Sequence, residues 1–503
     1  MFINYFPEKL LRFVILLAYI SGLVSAFDIT EVDTPVGKIH GTIINNTPLV
    51  TQFLGIPFAQ PPLGPLRWLP PKPKSPVASI NATTFGPSCP QYWTSLPQVY
   101  NTDVPGFLVY GPTSEDCLTL NIWAPSGSRF KLPVIVWLYG GSFQTGGGSV
   151  LYQIPSQWVE RSQGHIVVGI NYRLNIFGFP NAAGLNSNEL NLGLLDQRFG
   201  LEWIRANIGF FGGDPSRIIL WGQSAGAMSA DYYDFAYFHD PIISGLILDS
   251  GTALLPLGTD DPTHSNFTFM ATYFGCGPTF SPKAELDCMR NVSSYDLELF
   301  LDAYQDDFTQ PMITFYPVVD NRTKFENYTK RALAGNFARI PAIIGTNADE
   351  AASLLPWDPL LGPTPTNVAI LTQSNFLCLA SQTTKNRYHA NVPTWRYLYA
   401  GNFTNLSPRP WEGAYHASEL PMIFGTAGAA STSFQNATSA KMQDLWLAFA
   451  RDPYRGLLLQ GWAPYMPNGT AAQFGQLGSG GNLVDTIGID ALEAPCAFGT
   501  TPI

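Results

Sequence analysis

The stretch from Arg217 to Gly226, Arg-Ile-Ile-Leu-Trp-Gly-Gln-Ser-Ala-Gly, narrows the folds open to this chain more than any other. Ile218 to Trp221 is a short apolar run of the kind that forms a buried strand, and Ala225 to Ala230 is a run of small residues suited to a helix packed tightly against it. Between them Gly222-Gln223-Ser224-Ala225-Gly226 forms a G-x-S-x-G turn. A strand that reverses at once into a helix forces its apex residue into a strained backbone region, and a Cβ on either flank would collide with neighbouring backbone. Ser224 is therefore expected on a sharp elbow at the carboxyl end of a sheet, presented as a nucleophile. The same pattern occurs in ordinary turns; here the strand before it and the helix start after it favour the elbow.

The other apolar runs fit an α/β fold around that elbow. Gly37 to Ile43 and Val50 to Phe58 read as antiparallel strands at a sheet edge, and Leu118 to Trp123, Leu132 to Leu138, His165 to Asn171, Ile243 to Leu248, Ile340 to Gly345 and Thr394 to Tyr399 as further strands. Asn191 to Asn207 places Leu192, Leu195, Phe199, Trp203 and Ile204 at helical spacing. Alternation of strands and helices predicts a large, mostly parallel central sheet with right-handed crossovers. Residues 252 to 335 read as an insertion capping the carboxyl edge of that sheet. At 503 residues the chain exceeds the usual domain size, yet no Pro-, Ser- or charge-rich linker divides it, so one catalytic domain over 27–503 is expected.

Several function classes drop out on composition. Charged residues make up 13 % and hydrophobic residues 46 %, which excludes a disordered or coiled-coil chain. A net charge of −10 offers no basic footprint for nucleic acid. Residues 1–26 read as a secretory signal peptide, with Lys9 and Arg12 before an apolar stretch from Phe13 to Leu23 and the small residues Val24-Ser25-Ala26 at its end. The apolar stretch is too short to span a bilayer comfortably, and no later one is long enough, so stable membrane insertion is not expected. The six cysteines, Cys89, Cys117, Cys276, Cys288, Cys378 and Cys496, include no C-x-x-C pair. Ten sequons, at Asn45, Asn81, Asn266, Asn291, Asn321, Asn327, Asn402, Asn405, Asn436 and Asn468, point the same way, to a secreted glycoprotein.

A serine hydroxyl needs a general base, itself oriented by a carboxylate. Strand Leu132 to Leu138 runs directly into Tyr139-Gly140-Gly141-Ser142-Phe143, where consecutive glycines let backbone N–H groups face a cavity, as a developing oxyanion requires; the bland reading is a tight turn. In hydrolases of this architecture the order is Ser, then Asp or Glu, then His. Of six histidines, His40, His165, His239 and His264 are excluded by order or place, and His389 precedes Thr394 to Tyr399, taken as the last strand. His416 remains. For the acid, Asp249 and the pair Asp349-Glu350 both follow strands, and periodicity does not choose between them; whichever is not used is expected to bind backbone or an arginine. Between Cys89 and Cys117 lies a stretch rich in aromatics (Tyr92, Trp93, Tyr100, Phe107, Tyr110) that reads equally as a surface loop or as a flap at the mouth of an apolar pocket.

Together these motifs resemble the type-B carboxylesterases, including cholinesterases and large fungal lipases. The likeness covers about residue 30 to 496 and is carried by Phe53 to Ala59, Ser114 to Ile122, Tyr139 to Phe143, Asn191 to Gly226, Gly345 to Glu350 and Gly413 to Glu419. It implies an α/β-hydrolase fold without cofactor or metal. It further implies Glu350 as the acid and oxyanion N–H groups from Gly141, Ser142 and Ala225, with Gly140 and Gln223 beside them and Ser250 hydrogen-bonded to the acid. The pairings implied are Cys89 with Cys117, Cys276 with Cys288 and Cys378 with Cys496. There are departures. Ser142 stands where the family usually has a third glycine, and Gln223 where it usually has glutamate, which removes a buried charge beside the nucleophile. The loop 89–117 lacks the cholinesterase tryptophan, which argues against choline esters, and is shorter than the flap of the fungal lipases.

The expectation is a secreted serine carboxylesterase acting on a small-molecule ester of apolar character through Ser224, His416 and Glu350. The alternatives are a catalytically silent binding or adhesion protein of the same fold, and an acyltransferase. Neither the acyl group, the alcohol nor the oligomeric state is legible.

Overall fold

A computed structural model of the chain describes residues 30–127, 130–258, 261–277, 281–476 and 481–498; the leader expected over 1–26 lies outside them. In chain order the strands are β1 (Glu31–Thr34), β2 (Gly37–His40), β3 (Thr42–Ile44), β4 (Thr47–Pro57), β5 (Ser79–Asn81), β6 (Thr119–Pro125), β7 (Leu132–Leu138), β8 (Ile166–Ile170), β9 (Gly213–Gln223), β10 (Gly245–Asp249), β11 (Ala342–Asn347), β12 (Thr394–Tyr399), β13 (Thr470–Phe474) and β14 (Val484–Gly488). β1, β2 and β5 pair among themselves, and the other eleven build one sheet in the order β14-β13-β12-β11-β10-β9-β7-β8-β6-β4-β3. Neighbours from β8 across to β13 run parallel. Antiparallel pairs flank them on both sides.

The two faces of this sheet follow from a period of two in the central strands. Ile135 and Trp137 of β7, Ile219 and Trp221 of β9, Ile247 of β10 and Ile343 of β11 enter one core. Val134, Val136 and Leu138, then Ile218 and Leu220, Leu246 and Leu248, and Ala342 and Ile344 enter the other. Both faces are covered by helices, as a parallel sheet requires, so the strands read as nearly unbroken apolar runs. Each buried side chain of this size contributes about 1.5–3 kcal/mol relative to exposure. The crossover helices Ser156–Ser162, Leu192–Asn207 and Ala225–Ala236 link β7 to β8, β8 to β9 and β9 to β10.

Three features depart from the sequence reading or extend it. β12 is not the last strand: β13 and β14 follow it. Thr470–Phe474 carries only two aliphatic residues, both alanine, and Val484–Gly488 is a half-exposed edge strand, so neither has a strong apolar signal. The span between Cys89 and Cys117 holds the short helix Val99–Thr102 and a 3₁₀ turn at Pro105–Phe107. Within 252–335, the helices Ser265–Tyr273, Pro282–Met289, Ser294–Gln305 and Tyr328–Leu333 are inserted between β10 and β11. The first three share an apolar cluster with Trp68, Ile313 and Phe315. Three disulfides join Cys89 to Cys117, Cys276 to Cys288 and Cys378 to Cys496. No helix among the described residues is long and apolar enough to cross a membrane.

Candidate active site

β9 ends at Gln223 and the next helix begins at Ala225, so Ser224 alone makes the turn, at φ 55° and ψ −123°. That backbone region is costly for a residue with a Cβ, on the order of 1–3 kcal/mol. The elbow is held by the Ser224 N–H, which donates to the Asp249 carbonyl at 2.8 Å, and by close backbone approach on both flanks. A Cβ on Gly222 would overlap the backbone of Gly226, and one on Gly226 would overlap the carbonyl oxygen of Leu138. Ser224 is 8 % exposed.

The turn after β7 lies directly against this elbow. A Cβ on Gly140 would sit 2.7 Å from the Gln223 carbonyl and 3.0 Å from the Ser224 Cβ, so only glycine allows the approach. Gly141, Ser142 and Phe143 follow at φ 101°, 54° and 57°, a left-handed run. Gln144 and Thr145 N–H groups both donate back to the Gly141 carbonyl, which fixes the loop. Among the described residues, the N–H groups of Gly141 and Ser142 donate to no protein acceptor. Ala225 is the first residue of its helix, where N–H groups have no intrahelical partner. The Gln144 side chain donates to the Phe315 carbonyl at 2.9 Å and so ties this turn to the insertion. Phe315 itself is buried in the insertion's own core.

His416 is brought to the same place on the long connection after β12. Its Nδ1 lies 2.6 Å from Oε2 of Glu350, which is fully buried, and its N–H donates to the Glu350 carbonyl at 3.2 Å. The second carboxylate oxygen of Glu350 accepts from the Asn347 N–H at 2.7 Å. With Nδ1–H donated to the carboxylate, Nε2 carries the lone pair, and the Gln223 amide lies against it at 3.1 Å. The ring of Phe376, from the π-helical turn Thr372–Leu377, packs on the imidazole at 5.0 Å. His165, by contrast, is buried near Trp158, its Nδ1 2.8 Å from the Ser162 hydroxyl, and burial pushes it down to about 3.

Asp249 stands apart from the histidine. Its Oδ2 accepts from the Trp221 indole N–H at 2.5 Å, so its partner is neither backbone nor arginine, and burial pushes its carboxyl up to about 7. Asp349 does bind backbone: its Oδ2 accepts from the Ala414 N–H at 2.9 Å and braces the loop that carries His416. The hydrogen bond expected from Ser250 to the acid is not made. Its hydroxyl is buried without a partner among the described residues, and both Glu350 oxygens are engaged by Asn347 and His416. Asn347 was missed in the sequence, although a glutamate three residues after a backbone N–H is the spacing at which such side chains reach back. Asn347 also donates to the Tyr415 carbonyl at 2.8 Å and to Glu419 at 2.5 Å. Burial pushes the Glu419 carboxyl well above the ordinary range, and the nearby Asp249 and Glu350 add to it.

The disulfide-closed span 89–117 packs on the histidine's loop. Tyr100 and Phe107 meet the ring of Tyr415, and Asp103 forms two hydrogen bonds of 2.7 Å with Arg409. Of its two readings, the decorated surface loop is the weaker, because Val99 and Val104 are fully or almost fully buried.

A sheet of this order, with a serine elbow after β9 and a histidine–glutamate pair hung beyond the ends of β11 and β12, defines an α/β-hydrolase. The chain belongs to the carboxylesterase family, whose model matches residues 28–359 and 363–486, and it is thus a carboxylic ester hydrolase. It is 47 % identical over 433 residues to a chlorogenic acid esterase of Aspergillus niger, covering 84 % of this chain and 83 % of the relative. Identity to secreted lipase 5 of Gibberella zeae is 44 % over 450 residues, covering 82 % and 84 %. An acetylcholinesterase of Bungarus fasciatus is more distant, at 29 % over 489 residues, covering 84 % and 78 %.

Proposed function

We propose that the protein is a secreted serine carboxylesterase in which Ser224 attacks the ester carbonyl, His416 takes its proton at Nε2, and Glu350 holds the imidazole and stabilises the imidazolium. The observation that carries this reading is the 2.6 Å contact of a buried glutamate with Nδ1 of His416, whose Nε2 faces the elbow residue next to Ser224. Attack forms a bond from Oγ to the carbonyl carbon and opens the carbonyl π bond, which places negative charge on the former carbonyl oxygen of a tetrahedral intermediate. N–H groups of Gly141, Ser142 and Ala225 receive that charge, and each is expected to supply about 3 kcal/mol in the transition state. Collapse expels the alcohol, which takes the proton from Nε2. Water then repeats the sequence on the acyl-enzyme, releasing acid and restoring Ser224.

For the proton to leave Ser224, the Gln223 amide must yield its place on Nε2. Gln223 is neutral, so it can release the base without breaking an ion pair. The partly buried rings of Tyr100, Phe107 and Tyr152, packed on the fully buried Tyr415 next to His416, favour an apolar acyl or alcohol group, and an aromatic ester in the manner of the chlorogenic acid esterase is the first substrate to try. Three disulfides and the leader-like N-terminus support export.

Treatment with a fluorophosphonate followed by peptide mass spectrometry is expected to place the adduct on Ser224. A Ser224→Ala protein is expected to be inert toward short p-nitrophenyl esters and unlabelled. An adduct on another residue, or undiminished hydrolysis by that variant, sinks the assignment.

A further inference from the structure

We propose that Tyr100 is a positioning residue for the histidine–glutamate pair: its hydroxyl closes a ring of hydrogen bonds that fixes His416 relative to Glu350. The inference rests on the reading of these two residues as base and acid, and adds an element that neither the motifs nor the family likeness assigns. The Tyr100 hydroxyl donates to the His416 carbonyl at 2.8 Å. It lies equally 2.8 Å from the Ser353 hydroxyl. A phenol has one proton, and a carbonyl can only accept, so Ser353 is the donor in the second bond. Ser353 ends the 3₁₀ turn Glu350–Ser353 that begins with the acid itself. The His416 N–H donates to the Glu350 carbonyl at 3.2 Å, which completes the circuit from Glu350 through Ser353 and Tyr100 to His416 and back.

The ring joins three segments that no local turn connects. Tyr100 lies 253 residues from Ser353 and 316 from His416 in sequence. Its own segment is anchored at three further points: the Cys89–Cys117 disulfide, the Asp103–Arg409 ion pair, and edge-on packing of Tyr100 with Phe107 at 5.6 Å and with Tyr415 at 6.2 Å. Arg409 is in turn stacked on Trp357 at 4.6 Å and donates to the Pro359 carbonyl, on the chain just beyond the acid's turn. The phenol's ionisation is pushed well up, chiefly by desolvation and further by Glu350, so the hydroxyl remains a donor throughout the range in which such an enzyme works. A backbone carbonyl held this way fixes the Cα of the histidine, and with it the line from Nδ1 to Glu350 and the place of Nε2 against Gln223, beside Ser224. Displacements of about 1 Å at such a base cost on the order of a hundredfold in rate.

The test is Tyr100→Phe, which keeps the ring and its packing and removes only the hydroxyl. We expect kcat for a p-nitrophenyl ester to fall about tenfold while KM stays within about twofold, with fluorophosphonate labelling of Ser224 slowed in proportion. An unchanged kcat and labelling rate, or a rise in KM alone, overturns the inference. Should Tyr100→Phe fail to fold, Ser353→Ala reads the same ring from its other side: a severalfold fall in kcat at constant KM supports the proposal, and an unchanged kcat overturns it. Wild-type protein that takes no label at Ser224 instead overturns the underlying assignment of the site, so the two failures are distinguishable.

Discussion

Ser224 is held where only glycine sits without strain, and that strain separates the residue's two burdens. At φ 55° and ψ −123° a Cβ is costly, whereas the proposed attack needs the hydroxyl. Ser224→Gly is therefore expected to be about 1 kcal/mol more stable than Ser224→Ala, though both are inactive; urea denaturation of the two proteins measures the difference. The neighbouring Gly140 has the opposite sensitivity. An added Cβ would meet the Gln223 carbonyl so closely that Gly140→Ala must push the elbow or the turn after β7 aside. Activity on p-nitrophenyl esters is expected to drop on the order of a hundredfold, and it is the kcat term that should carry the loss.

At the scale of elements, the three disulfides brace segments that the sheet alone leaves loose. Cys276–Cys288 closes 12 residues within the insertion, whereas Cys378–Cys496 closes 118 and ties the helix after β11 to the C-terminal turn. In the chain-entropy account, removing the first costs about 3 kcal/mol and removing the second about 5 kcal/mol. Paired Cys→Ser variants compared by denaturant midpoint test that ranking. The longer bridge also starts where the π-helical turn ends, and that turn supplies Phe376 to the imidazole and the Thr372 hydroxyl to the Ala351 N–H. Its loss is accordingly expected to lower kcat, while loss of Cys276–Cys288 leaves kcat nearly untouched; steady-state kinetics on both variants distinguishes them.

The whole molecule carries buried carboxyls whose ionisation opposes folding. Burial pushes Asp249 up to about 7 and Asp231 up to about 6, against about 3.9 in an unfolded chain. A folded value above the unfolded one means that the native state binds more protons across that interval. Their contribution to stability is thus full below about pH 4 and is lost as the pH rises toward 6 and 7. The protein is expected to melt several degrees higher at pH 5 than at pH 8. Asp249→Asn, which keeps an acceptor for the Trp221 indole, is expected to narrow that gap and to gain on the order of a few kcal/mol at pH 8. Calorimetry of both proteins across this range settles the sign.

Much of the architecture was written locally. The unbroken apolar runs of Leu132–Leu138 and Ile218–Trp221, the glycines around Ser224 and the helical spacing from Leu192 are consequences of near neighbours; the first strand and the helix appear with boundaries close to those expected, whereas β9 begins earlier than the expected run, at Gly213. β13 and β14 were not legible, because their pairing is set by the edges they join rather than by their own apolar content. The same holds within the site. Asp249 and Glu350 each follow a strand, and β10 and β11 lie side by side in register, Asp249 opposite Gly345. Periodicity treats them alike. The loop after β12 returns to the end of β11, so Glu350 meets His416 while the Trp221 indole occupies Asp249. Tyr100, and the side chain of Asn347, owe their partners to the same long-range packing. A chain's short-range pattern encodes which face of an element is buried; which polar atom completes a hydrogen bond across hundreds of residues is decided only when those elements pack, because the partner exists nowhere in the local sequence.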